Sequence, residues 1–250
     1  MGVKSIISEV GESGINFSRA MKFIFTGQIN WHNTFYQISK AGVGSFFIVS
    51  ITAIFIGLAM STQLAKELTT NFSAPHLVGG LVGVATIREL APVLTSLVVS
   101  GRVGAAIAAE IGSMKSSEQI DALEVLGINP IKFLLVPRLI ALGIINPLLT
   151  GIAAFFSIIS GMLLTRITVN LNYPVYLESV RTFVGENDVM VMILKSTIFG
   201  IIVAILATTI GMQVKGGAEA VGNSATETVV WSIILIFLFN YIITSIFFGV

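Results

Sequence analysis

The sequence predicts an all-α integral membrane protein: an N-terminal amphipathic interfacial helix, then five transmembrane helices, with a short cytoplasmic helix between the second and third. Three observations predict it. Of 250 residues, 54% are apolar and 11% charged, against roughly 25% charged in a soluble domain, and the mean hydropathy is +0.93. The apolar residues gather in runs near or above the roughly 20 that a helix needs to cross the hydrocarbon layer. The charges gather between those runs.

Residues 1–40 form the interfacial segment and 41–250 the membrane domain. Ile6, Val10, Phe17, Met21 and Ile24 recur at spacings of three, four and seven, with Lys4, Arg19 and Lys22 between them, the pattern of a helix lying in the membrane surface. A poorly ordered tail is the alternative, since Gly11 and Gly14 weaken the helix. Trp31 and Tyr36 suit the headgroup level. The N-terminal segment does not resemble a cleaved signal peptide, and the first span is expected to serve as the uncleaved signal.

The spans are expected at 44–65, 77–109, 133–165, 189–212 and 229–248. The second exceeds one perpendicular crossing and must tilt, kink or leave the bilayer. The third contains Pro137, Arg138 and Pro147; one long span is the reading, and a hairpin turning at Asn146-Pro147 is the alternative. A polar connector, 166–188, has room for a short helix from Val175 to Phe183. With the N-terminus in the cytoplasm, Lys4, Arg19, Lys22, Lys40, Arg102, Lys115, Lys132, Arg138 and Lys215 fall inside, and only Lys66, Arg166 and Arg181 outside. That bias sets the orientation.

Several classes of function are excluded. A net charge of +1 provides no electrostatic footprint for nucleic acid. The absence of cysteine removes disulfides, thiolate nucleophiles and Cys-ligated zinc. His32 and His76 stand in no metal-ligand spacing. No Asp lies inside a span, and neither GxSxG nor GxxxxGK[ST] occurs, so no catalytic residue, metal or nucleotide site is assigned to this chain.

The informative residues are the exceptions to the apolar pattern. Arg88 and Glu89 lie about eleven residues into the second span, roughly 16 Å at the helical rise and near mid-bilayer. Adjacent helical residues do not face each other, so each needs another partner or water. Pro92 lacks the amide that would bond the carbonyl of Arg88 and is expected to kink the helix there. Lys195, in the fourth span, is a possible partner for Glu89, or it snorkels to the outer interface. Charges at a kink suit an aqueous cavity inside a bundle; a buried pair fixing helix register is the alternative. Gly101, Gly104, Ala105 and Ala108 belong to two small-residue rows that let helix backbones approach, within the bundle or between subunits. Arg102 and Glu110 are placed to pair with charges at the cytoplasmic end.

Residues 116–126 read as a cytoplasmic helix opened by a capping box from Ser116 to Gln119 and stopped at Gly127. Ile120, Leu123 and Leu126 form an apolar strip, and Glu118, Asp121 and Glu124 an acidic one. A solvated loop helix looks like this, and so does one that docks on a basic groove.

The run IRELAPVLTSLVVSGRVGAAIAAEIGSMKSSEQIDALEVLGINP, residues 87–130, supported by PRLIA after Val136 and KGGAEAVGNSATETVV from Lys215, resembles the MlaE or YrbE permeases. These are the membrane subunits of ABC transporters associated with MCE proteins. The resemblance implies a homodimer bound to a cytoplasmic ATPase dimer, which holds the ATP, and to an external MCE-domain protein, in a bacterial inner membrane or a plastid inner envelope. It places Arg88, Glu89 and Lys195 near a lipid cavity and makes residues 116–126 the coupling helix toward the ATPase. An ion-coupled secondary transporter and a non-transporting scaffold are the competing classes.

Overall fold

In the computed structural model the backbone is described for residues 3–249, and side chains from Gly11 onward except Glu12. The side chains of Lys4, Ile6 and Val10 therefore lie outside the described residues. The helices are α1 (Val3–Phe25), α2 (Trp31–Thr70), α3 (Pro75–Ser116), α4 (Gln119–Val125), α5 (Ile131–Thr168), α6 (Tyr173–Phe183), α7 (Glu186–Met212) and α8 (Ala218–Phe248). Five of them, α2, α3, α5, α7 and α8, are long and apolar enough to cross a membrane. This is an all-α integral membrane protein.

Each crossing helix is longer than the apolar run that announces it, because flanking polar residues extend it past the hydrocarbon. Residues 131–168 are one helix with Pro147 inside it, so the hairpin alternative is excluded. Helix α3 is interrupted by two π-helical segments, Thr86–Leu90 and Ser100–Gly104; a third, Ile131–Leu135, opens α5. Such segments carry an extra residue per turn and re-aim the side chains around them.

The chain divides into two compact units, to each of which all five crossing helices contribute a segment. One comprises 1–45, 96–146 and 197–239. Here Ala20 and Ser13 of α1 are buried while Arg19 and Lys22 are exposed, an amphipathic arrangement, and Asn16 donates to Thr209 of α7 (3.3 Å). A Cβ on Gly104 would lie 3.0 Å from Val203, and one on Gly112 3.0 Å from Val214, so this small-residue row packs within the chain, and Ala108 on it is fully buried. The other row does not: Gly101 is exposed, a Cβ added to it would meet nothing within 4 Å, and Ala105 is half-buried.

The second unit comprises 46–95, 147–196 and 240–250. Gly79, Gly80 and Gly83 of α3 form a trough in which α6 lies. A Cβ at Gly79 would strike the carbonyl of Tyr176, and one at Gly80 would lie 2.6 Å from the Phe183 ring. The trough brings Tyr176 into full burial with Ala65, Leu68, Val78 and Val82. Ser179 seals the contact by accepting from the amide of Gly80 (2.9 Å).

The expected capping box is absent. Helix α3 continues to Ser116, whose hydroxyl donates to the carbonyl of Gly216 (2.7 Å) rather than capping α4. Glu118 precedes α4 with a left-handed φ of 59°, and α4 spans only Gln119–Val125 in place of 116–126. Its apolar residues also divide differently. Ile120 is buried and Leu123 half-buried, whereas Val125, Leu126 and Ile128 are exposed.

Candidate functional site: a charged cluster on the second unit

The cluster begins with a missing amide. Pro92 cannot donate to the carbonyl of Arg88, and the helix answers with the π segment Thr86–Leu90 rather than an uninterrupted α-helical ladder. The ammonium of Lys195 donates to the Arg88 carbonyl (2.8 Å), to Oε1 of Glu89 (3.0 Å) and to the hydroxyl of Thr244 (2.7 Å). A lysine has three donors, and all three are used. Lys195 is 0% exposed, so it does not snorkel. Burial without this complete set of acceptors would be prohibitive.

Glu89 is held from three sides. Besides Lys195, Thr244 donates to Oε1 (2.9 Å) and Asn240 donates to Oε2 (2.6 Å). Asn240, Thr244 and Phe248 recur every fourth residue on α8, which puts them on one face. Phe248 carries the third contact of that face, its ring centroid 4.3 Å from the Arg88 guanidinium carbon, a cation–π arrangement.

Arg88 turns to a different carboxylate. Its Nε and Nη2 donate to the two oxygens of Asp188 at 2.8 and 3.3 Å, a bidentate pair. Asp188 sits in the first turn of α7 and accepts from the amide of Gly185 (3.0 Å). This is the backward half of a capping box, placed where the helix dipole favours a negative charge.

Two ion pairs, Arg88–Asp188 and Lys195–Glu89, thus lie side by side along α3 without bridging each other. Their exposure is asymmetric. The side chains of Asp188 and Lys195 are 4% and 0% exposed, while those of Arg88 and Glu89 are 36% and 38% exposed. The buried partners serve as fixed counter-ions, and the surface of the cluster is made by an adjacent guanidinium and carboxylate. A dipolar or anionic group could be bound there without first breaking a pair, since both exposed groups keep free hydrogen-bonding capacity.

Of the residues singled out in the sequence, Arg88, Glu89, Pro92 and Lys195 are brought together. Asp188, Asn240, Thr244 and Phe248 were not singled out, although the four-residue spacing on α8 and the acid three residues after Gly185 were both readable. The remaining residues lie in the other unit. There Asp121 is engaged by Lys115 (2.6 Å), leaving Glu118 and Glu124 as the two acids of the expected strip that make no ion pair among the described residues.

Comparison with known proteins places these features in context. A family model described as Permease MlaE matches residues 34–246. A probable ABC transporter permease protein of Synechocystis is 40% identical over 225 residues, covering 90% of this chain and 85% of the relative. A probable ABC transporter permease protein of Rickettsia prowazekii is 38% identical over 214 residues, covering 86% and 82%. The chloroplastic protein trigalactosyldiacylglycerol 1 of Arabidopsis thaliana is 36% identical over 225 residues, covering 90% of this chain and 64% of the relative.

Proposed function

The chain belongs to the MlaE permease family and is a membrane permease of an ABC transporter, and from that premise we propose that it carries phospholipid or a related lipid between the membrane and an external MCE-domain protein. It works as a homodimer, powered by a cytoplasmic ATPase dimer that binds the ATP, in a bacterial inner membrane or a plastid inner envelope. The N-terminus is cytoplasmic, the orientation that the Lys and Arg distribution supports.

The observation that carries the lipid reading is the half-buried pair Arg88 and Glu89, each matched in an apolar span to a counter-ion that is itself buried. Charges inside a membrane are costly and mark substrate pathways. Arg88 attracts the anionic part of a headgroup, and Glu89 takes an ammonium or hydroxyl where one is present. Lys195, enclosed by its three acceptors, holds Glu89 and the widened turn in place instead of touching lipid. The relative named for trigalactosyldiacylglycerol, itself a glycerolipid, supports a substrate of this class.

Coupling to the ATPase runs through α4 and the turn after it. Glu118 and Glu124 present negative charge, and Val125, Leu126 and Ile128 an apolar patch, to a partner with a basic, apolar-lined groove. The test of the whole reading is lipid transfer by the complex reconstituted in proteoliposomes. Replacing Arg88 and Glu89 together by Ala, with assembly intact, should abolish most ATP-dependent transfer. Unaltered transfer would make the pair a structural element, and transfer that persists without the ATPase would make the protein a secondary transporter.

A further inference from the structure

A second charged site lies in the other unit, around Arg102. Five of the nine basic side chains within the crossing helices are matched to a carboxylate: Arg88 to Asp188, Lys195 to Glu89, Lys115 to Asp121, and both Lys40 and Arg138 to Glu110 at 2.7 and 2.5 Å. Arg102, on the π segment Ser100–Gly104, makes no ion pair among the described residues. Its hydrogen bond is to the neutral hydroxyl of Ser45 (3.2 Å), a residue that is itself fully buried.

The fold makes room for this guanidinium. It lies against Gly44 of α2, where a Cβ would collide with both terminal nitrogens. Beside it is a cavity of about 250 Å³ lined by Gln37, Lys40, Arg102 and Glu110, with Val103 and Ile107 on its apolar wall. The charges do not cancel. Two cations, Lys40 and Arg102, line the cavity with one carboxylate, Glu110, and Glu110 is also engaged by Arg138 from outside the lining, so the lining carries one positive charge more than negative. Trp31, Phe35 and Tyr36 are exposed near the start of the same α2, as residues at the headgroup level are.

We propose that this cavity binds the phosphate diester of a glycerophospholipid, at a site built from residues other than the Arg88 cluster. The guanidinium of Arg102, which has no carboxylate partner and spends one Nη1 hydrogen on Ser45, keeps donors for two phosphate oxygens. Lys40, whose side chain is 47% exposed, supplies a second positive charge without leaving Glu110, and Gln37 a neutral donor. The carboxylate of Glu110 is already occupied by two cations and does not repel the ligand at full strength. The glycerol and first acyl carbons lie on Val103 and Ile107. The proposal stands whether or not the Arg88 cluster touches transported lipid.

The test uses the full-length protein in detergent, washed until loosely held lipid is gone, with bound phospholipid counted by native mass spectrometry. Wild type retains phospholipid. Arg102→Gln lowers the affinity for added phosphatidylglycerol by about tenfold, the value of a lost charge-assisted contact, and R102K recovers part of it. The same step of about tenfold between Arg102 and R102Q is expected in an Arg88→Ala background, whatever lipid that background has itself lost, so the two sites are read separately. Thermal unfolding of each variant without lipid confirms that the fold is kept, and lipid-induced stabilisation in the wild type but not in R102Q supports the proposal. Three results overturn it: equal retention and equal stabilisation in R102Q; stabilisation by inorganic phosphate alone matching that by phosphatidylglycerol; or loss of a dimer in R102Q with lipid retention unchanged, which would assign the guanidinium to a second copy.

Discussion

The ammonium of Lys195 donates to the backbone carbonyl of Arg88 at 2.8 Å, the carbonyl that Pro92 leaves without its helical donor. One side chain thereby repairs a helix irregularity and neutralises the neighbouring Glu89. The irregular turn and the buried charge depend on each other. The π segment carries the carbonyl that Lys195 serves, and without Lys195 the Glu89 carboxylate would have no ion pair in a membrane span.

Replacing Lys195 by Met tests this dependence. It leaves Glu89 without its cation and takes the ammonium donor from the Arg88 carbonyl, and removing one partner of a buried pair costs about 3–5 kcal/mol. The low end applies because Glu89 keeps 38% of its side chain exposed. A lowered unfolding temperature should be partly restored in the double variant Lys195→Met with Glu89→Gln, whose neutral amide needs no cation. A double-mutant cycle with no coupling would show that the pair acts only as two independent residues.

Asp188→Asn should separate positioning from headgroup attraction. It weakens the bidentate hold on Arg88 and the bond to the Gly185 amide, while Arg88 keeps its charge. The expected loss is about 1–3 kcal/mol of stability, with lipid transfer reduced but not abolished. If transfer fell as far as in the Arg88→Ala, Glu89→Ala variant, the orientation of Arg88 would matter as much as its charge.

The five spans were legible because lipid permits few alternatives to a helix of about 20 apolar residues. Their ends were not, since polar flanks such as 31–43 continue α2 into a different solvent without a break in helical pattern. Ser116 shows a second limit. Its local context reads as a cap, but its hydroxyl is taken by Gly216, 100 residues away. Arg88 and Glu89 were identifiable as unable to pair with each other, and Lys195 as a partner for Glu89. Asp188 was missed because it lies at the polar start of a span, where an acid attracts no notice. Asn240 and Thr244 were missed because neutral residues in an apolar run look tolerated rather than used.

The proposed docking surface can be divided by mutation. Charge reversal of Glu118 and Glu124 should weaken co-purification of the ATPase, as should Val125→Ser with Leu126→Ser. Reversal of Asp121 should act first on its bridge to Lys115 and have the smaller effect on recovery of the partner. Equal recovery of ATPase with all three variants would remove α4 as the coupling element.

The trough that seats α6 predicts a contrast between two glycines. Gly79→Ala directs a methyl group at the carbonyl of Tyr176; backbone cannot yield as a side chain does, and overpacking of this kind costs about 1–3 kcal/mol. Gly151→Ala, inside α5 with nothing within 4 Å of the added carbon, should instead stabilise by up to about 1 kcal/mol through helix propensity. Thermal unfolding of the two variants measures both. A neutral Gly79→Ala would mean that α6 can ride outward at no cost.

Tyr176 provides the alkaline test of the same contact. Burial pushes its phenol up to about 12, only partly offset by the neighbouring Ser61 hydroxyl. An unfolded tyrosine ionises near 10, so the fold favours the neutral phenol. The sign follows from linkage: the stabilisation is fully present below about pH 10 and is lost as pH rises toward 12. Neither hydroxyl makes a hydrogen bond of good geometry, so Tyr176→Phe removes no established bond and should be close to neutral at pH 7. Its unfolding temperature should therefore fall less steeply than that of the wild type between pH 10 and 12. Parallel curves for the two proteins across that window would show that Tyr176 is not the group whose ionisation releases α6.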